Sequence, residues 1–230
     1  MRDLRALARA ATAVENGTKE GEALLQDLPP AQGLVVGITG PPGAGKSTLV
    51  DALAKEIRRR DKTVAILAVD PTSRLTGGAI LGDRIRMQQH HADPGVFIRS
   101  MATRGARGGV ATATGDVAAL LRGSGFDYVL IETVGVGQDE IEVTAAADLT
   151  VLVQVPGMGD DVQALKAGVM EIADVFVINK ADHPGAARLE QEIRAESTAP
   201  ICRTIATEGT GVAELLDRVT QTFLVCRGAN

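Results

Sequence analysis

Two short clusters in this chain could do chemistry, and both ask for a nucleotide. The first is Gly40-Pro41-Pro42-Gly43-Ala44-Gly45-Lys46-Ser47. It fits G-x-x-x-x-G-K-[ST] at every fixed position, the pattern of a loop that cradles phosphates. Its glycines permit backbone angles that turn successive N–H groups inward. Lys46 can reach the β- and γ-phosphates, Ser47 can ligate Mg²⁺, and a helix opening here adds the positive end of its dipole. Gly40, Pro42, Gly43, Ala44, Gly45, Lys46, Ser47 and Thr48 are therefore the expected phosphate-binding set. The second cluster is Asn179-Lys180-Ala181-Asp182. The Asp182 carboxylate can accept hydrogen bonds from N1–H and N2–H of guanine, and adenine offers neither. A site built on that pair discriminates by about 10⁴. Asn179 can touch the base edge and brace the phosphate loop. The Lys180 stem can lie over the ring, and a backbone N–H near Ala206 can donate to guanine O6. The expected ligands are GTP or GDP with Mg²⁺.

Acids at strand ends supply the remaining chemistry. Asp70 ends the apolar run Thr63 to Val69, and Asp83 follows Gly82 in a loop with Thr72, Ser73, Gly77 and Gly78. Glu132 ends the apolar run Phe126 to Ile131. A carboxylate at the tip of a buried strand beside such a loop holds Mg²⁺, usually through water. Ser47, Asp70, Asp83 and Glu132 are the expected metal set. Gly137 or Gly135 can bring a backbone N–H to the γ-phosphate, a contact that is lost on hydrolysis. Many GTPases place a water-orienting Gln directly after such a glycine. Here Val136 stands there and Gln138 lies two further on, so slow intrinsic hydrolysis is expected. Lys46, Asp70, Glu132 and Gly137 are the expected catalytic residues. Arg104 and Arg107, in a glycine-rich loop, could face a phosphate or solvent, and both readings stay open. His90 and His91 are neighbours on a predicted helix, about 100° apart, so they do not share an ion. A solvated helix end is expected there, and also for Arg58 to Arg60.

These residues need a frame. Leu34 to Ile38 reads as a buried strand before the phosphate loop, and Leu49, Val50, Leu53, Ala54 and Ile57 make one face of the helix after it. Further apolar runs alternate with helical stripes to the end of the chain, so the predicted fold is α/β. It is a three-layer P-loop NTPase fold, a mostly parallel sheet with helices on both faces. Leu4, Leu7, Ala8, Ala11 and Val14 predict a helix that Asn16-Gly17 breaks, and a second short helix ends at Pro29-Pro30. Residues 1–30 are thus read as an N-terminal helical extension and 31–230 as the GTPase domain. The 230 residues carry 45% hydrophobic side chains, one Tyr, four Phe, no Trp and a net charge of −5. That balance argues against a nucleic-acid surface. Two isolated cysteines and the lack of a signal peptide or long apolar run predict a cytoplasmic protein with no membrane span.

Taken together, the motifs resemble the MeaB/ArgK family of P-loop GTPases, to which the methylmalonic aciduria type A protein is related. The resemblance is carried by Gly37 to Thr48, Ala68-Val69-Asp70-Pro71, Gly77-Gly78 with Ile80 to Asp83, and Glu132 to Gln138. Pro156-Gly157 through Gly168, Asn179 to Asp182, and the N-terminal Leu7 to Ala10 with Val14 to Asn16 extend it over most of the chain. It implies a G-protein chaperone that gates adenosylcobalamin loading and protection of an acyl-CoA mutase, chiefly methylmalonyl-CoA mutase, together with its adenosyltransferase. It also implies that residues Gly157 to Gly168 form a third switch facing the mutase, with Lys166 assisting catalysis. Family members usually continue into a C-terminal dimer arm, which is not expected in a chain that stops at Asn230, and the homodimer stays an open reading. Two other readings are weighed against this one. A nickel metallochaperone-like GTPase needs soft or imidazole ligands near the switches, for which three His and two Cys are poor material. An arginine/ornithine transport-associated kinase or ATPase would need a separate phosphoacceptor site, which the motifs do not supply.

Overall fold

In the computed structural model the described residues are 3–30, 33–70, 90, 93–102, 110–133, 146–157 and 170–228. The elements alternate as the apolar pattern requires. They are α1 (Leu4–Glu15), α2 (Lys19–Gln26), β1 (Leu34–Thr39), α3 (Lys46–Arg59), β2 (Val64–Asp70), β3 (Val96–Ala102) and α4 (Val110–Gly123). There follow β4 (Tyr128–Thr133), β5 (Leu149–Gln154), β6 (Val175–Asn179), α5 (Ala186–Glu196), β7 (Ile201–Thr204) and α6 (Val212–Gly228). The strands form one seven-stranded sheet in the order β3-β2-β4-β1-β5-β6-β7. Every pairing is parallel.

Strands buried on both faces need two helical layers. On one face α3 and α6 bury Leu49, Leu53, Ile57, Leu215, Val219 and Phe223 against Val36, Ile38, Ile66, Leu130, Val151 and Val177. On the other, α4 places Val117 and Leu121 over Val35, Leu67, Val129 and Ile131. Helix α1 joins this second core through Leu7, Ala11 and Val14. Asp3 caps it, accepting from the Arg5 and Ala6 N–H groups at 2.9 and 3.0 Å. Arg99 of β3 fastens it further, pairing with Glu15 and donating to Thr12 Oγ1 at 3.2 Å. Helix α5 covers β5 and β6 through Leu189 and Ile193.

An aspartate precedes each of three strands and ties the amino edge of the sheet. Asp127 accepts from the Thr63 N–H at 2.8 Å, Asp148 from the Val35 N–H at 2.9 Å, and Asp174 from the Thr150 N–H at 2.7 Å. Each carboxylate satisfies a backbone donor that the neighbouring strand would otherwise leave open. Burial pushes the Asp127 carboxyl up, but the Thr63 N–H and hydroxyl and the Lys62 ammonium together hold it below its ordinary value.

Two surface expectations are corrected. His90 is buried, not a solvated helix end, and its Nε2 lies 2.7 Å from Asp51 Oδ1 on α3. Arg58 and Arg60 are also ties, whereas Arg59 is exposed as a helix end should be and pairs with Glu56 of its own helix. Arg58 bonds Asp93 at 2.8 Å, and Arg60 joins Glu56 at 2.7 Å to Asp217 and the Ala213 carbonyl of α6. The Arg59 and Arg60 guanidiniums hold the Glu56 carboxyl at about 2, against an ordinary 4.5, despite the opposing effect of burial. A folded value below the unfolded one gives stability that is present above about 4.5 and lost as pH falls toward 2. Glu56→Gln should cost about 1 kcal/mol at pH 7 after solvent screening, and the gap from the parent should close as the pH is lowered. Urea unfolding of both proteins across that range checks it.

Candidate nucleotide-binding site

The parallel arrangement puts the carboxyl ends of all seven strands on one edge. Thr39, Asp70, Thr133, Gln154, Asn179 and Thr204 are the last residues of β1, β2, β4, β5, β6 and β7. From β1 the chain passes to β2 on one side of the sheet and later returns from β4 to β5 on the other, so the strand order reverses beside β1, where open α/β sheets bind ligands. The glycine-rich loop leaves the sheet at that point.

Its backbone could not be built from other residues. Gly40 has φ +144°, and a Cβ there would lie 2.2 Å from the Val153 carbonyl oxygen. Gly45 caps α3 in the left-handed conformation, φ 87°, with no side-chain cap on the helix. The first-turn N–H groups of α3 are thus left to face a ligand. Gly40→Ala should destabilise the protein by about 2 kcal/mol or more and lower nucleotide affinity, because a backbone oxygen must move. Thermal unfolding and fluorescent-GDP titration of the variant read both effects.

Lys46 opens α3 and is buried. Its Nζ donates to the Gly40 carbonyl at 2.6 Å and the Pro41 carbonyl at 3.2 Å, so the ammonium is held across the mouth of the loop. Ser47 Oγ donates to Glu132 Oε1 at 2.5 Å. Glu132 lies within β4 rather than just past its end, opposite Ile38 of β1 and Ala68 of β2. Reading an apolar run stops at the first charge, whereas the ladder continues through it. Thr48 is half-buried in the first turn of α3, and Asp70 ends β2 opposite Ala102.

The second cluster meets the first through Asn179. Its Nδ2 donates to the Ala44 carbonyl of the loop at 2.9 Å, while its Oδ1 accepts from Thr204 Oγ1 and from the Ala206 N–H, both at 3.1 Å. All three partners are buried with it. Lys180 has φ +54° and donates from Nζ to the Gly43 carbonyl at 3.0 Å, so its stem bridges back to the loop. The Ala181 N–H bonds the Thr204 carbonyl and the His183 N–H bonds the Lys180 carbonyl, both at 3.0 Å, closing the turn that carries Asp182 at the surface. Thr204 was missed by the sequence reasoning; its signal is a polar residue ending the strand beside Asn179, with which it pairs in register. Asp83, Gly137, Lys166, Arg104 and Arg107 lie outside the described residues.

Among the described residues no group of three His, Cys, Asp or Glu side chains is placed to hold a metal ion, and no helix is long and apolar enough to cross a membrane. The hard oxygens of Ser47 and Glu132, set side by side at the loop, are of the kind Mg²⁺ takes when phosphates and water complete its shell.

Sheet order, loop and helix together define a P-loop nucleotide-binding protein with a guanine-type base motif. The family described as methylmalonyl Co-A mutase-associated GTPase MeaB matches residues 7–229, and the chain belongs to it. A Pyrococcus horikoshii protein carrying the provisional name of GTPase is 51% identical over 233 residues, covering 95% of this chain and 74% of the relative. The mitochondrial methylmalonic aciduria type A homolog of Mus musculus is 39% identical over 199 residues, 81% of this chain and 48% of the relative. The crystal structure of an LAO/AO transport system kinase superposes with a TM-score of 0.73 at 27% identity, covering 98% of this chain and 73% of that one.

Proposed function

We propose that this chain binds and hydrolyses GTP, and uses that cycle to gate adenosylcobalamin loading and protection of an acyl-CoA mutase such as methylmalonyl-CoA mutase. The observation that carries the guanine reading is Asn179. One buried amide ties the phosphate loop to both the Asp182 turn and the Ala206 segment, so base and phosphate recognition share one rigid frame. On this reading Asp182 accepts from guanine N1–H and N2–H, the Lys180 stem covers the ring, and the Ala206 N–H, already on Asn179, turns partly toward O6. Phosphate oxygens replace the Gly40 and Pro41 carbonyls as partners of Lys46. The loop N–H groups and the α3 dipole hold the β-phosphate. Ser47 and Glu132, with Asp70 and Asp83, would hold Mg²⁺, which when bound neutralises charge on the β- and γ-oxygens. Gly137 and Lys166 are assigned to γ-phosphate sensing and to catalysis once a partner is engaged. The mutase and its adenosyltransferase enter through the family's name and resemblance.

The test is capture from cell extract by this chain loaded with a non-hydrolysable GTP analogue, with GDP, or with no nucleotide. Recovery of a cobalamin-dependent acyl-CoA mutase or its adenosyltransferase in one nucleotide state is expected. Recovery of neither in any state overturns the chaperone assignment.

A further inference from the structure

A cavity lies on the sheet face away from α3, between the end of β5 and helix α5. It has a volume of about 270 Å³ and is lined by Gln154, Met170, Leu189 and Ile193, with Glu192 and Glu196 among its remaining walls. Leu189 and Ile193 are buried core residues of α5, and Met170 packs against the same cluster. The exception is Gln154. It is only 2% exposed, and among the described residues neither its Oε1 nor its Nε2 has a hydrogen-bond partner. A buried amide with both atoms unsatisfied costs about 1–3 kcal/mol per group, and native proteins rarely keep one without a use. A leucine at this position would fill the same space without that cost.

We propose that this cavity is a binding site for a small neutral amide carried on an apolar body. A primary amide presents one N–H donor and one acceptor side by side in a plane, the complement of the Gln154 side chain. A ligand carrying only an acceptor leaves one of its atoms unsatisfied. An anion meets Glu192 and Glu196 among the walls, and a neutral amide matches the uncharged Gln154 side chain with no charged partner required there. The apolar walls from Met170, Leu189 and Ile193 take the body of the ligand. The site is separate from the phosphate loop but close behind it. The preceding residue, Val153, presents the carbonyl that abuts Gly40, and Gln154 pairs with Ile178, the neighbour of Asn179.

The experiment is a titration of the full chain, labelled at methionine methyls and glutamine side-chain amides, with benzamide and with acetophenone, which has the same shape but no N–H donor. Benzamide should shift the Met170 methyl and the Gln154 amide saturably, binding about tenfold more tightly than acetophenone. Gln154→Leu should keep or raise the Tm and weaken benzamide about tenfold or more. Equal binding of the two probes, which means an apolar cleft only, would overturn the proposal. So would unchanged benzamide affinity in Gln154→Leu, or no shift at either reporter, which means the amide is satisfied by water or by the chain itself.

Discussion

Asp182→Asn is expected to lower GTP affinity by about 10⁴ and to create affinity for xanthosine triphosphate. The carboxylate offers two acceptors to the two N–H groups of guanine. An asparagine offers one acceptor and one donor, which matches N1–H and the C2 carbonyl of xanthine and leaves the guanine N2 amine facing another donor. Asp182 is exposed in the turn after β6, so the swap should change folding stability by no more than about 0.5 kcal/mol. The effect is thus one of recognition, separable from misfolding. Competition of GTP, XTP and ATP against a fluorescent nucleotide reads it directly. Retention of GTP affinity in the variant would remove Asp182 from the base site.

The second large effect belongs to Lys46. Removing an ammonium aimed at developing phosphate charge costs about 10²–10³ in rate. Lys46→Ala should therefore slow single-turnover GTP hydrolysis by that factor and weaken GTP more than GDP, since the side chain reaches the γ-phosphate. The nucleotide-free protein also loses something. Nζ donates to the Gly40 and Pro41 carbonyls, and stripping that donor should cost about 1 kcal/mol of stability. Lys46→Arg keeps the charge but not the compact head, and a planar fork does not fit between two carbonyls of one tight loop. It should recover little of the hydrolysis. A hydrolysis rate in Lys46→Ala equal to the parent's would show that this ammonium does not act on the phosphates.

The frame was legible because its signals are local. The phosphate loop is read from eight consecutive residues, and the strands from runs of aliphatic side chains that the parallel sheet buries on both faces. The Asn179 brace was also foreseen, since a short N-K-x-D turn at a strand end leaves the asparagine facing inward. Two other kinds of feature were hidden. The first depends on distant pairs. Arg60 meets Asp217 across 157 positions and Arg99 meets Glu15 across 84, so no window of sequence shows either ion pair. His90 was misjudged for the same reason, because its partner Asp51 sits on a helix 39 residues earlier. The second kind depends on the ladder. Glu132 reads as the residue beyond a strand, yet its pairing with Ile38 and Ala68 keeps it inside one and fixes its carboxylate against Ser47. Thr204 gained its role only when β7 came to lie beside β6. Gln154 belongs here too, since a glutamine ending an apolar strand looks like an ordinary solvated tip until α5 covers it.

Slow turnover by the isolated chain is expected from the sequence, where Val136 takes the position of a water-orienting Gln and Gln138 lies two further on. On the proposed function the loop, Ser47, Glu132 and Asn179, all among the described residues, hold the nucleotide. Positioning and charge stabilisation account for most phosphoryl-transfer catalysis, and on the proposed function the remainder comes from residues that a partner arranges. The most direct measurement is the single-turnover rate of GTP hydrolysis by this chain, alone and with a purified adenosylcobalamin-dependent methylmalonyl-CoA mutase. The account predicts slow hydrolysis alone and a rise of about tenfold or more with the mutase, a lowering of the barrier by about 1.4 kcal/mol. A rate that the mutase leaves unchanged would contradict it.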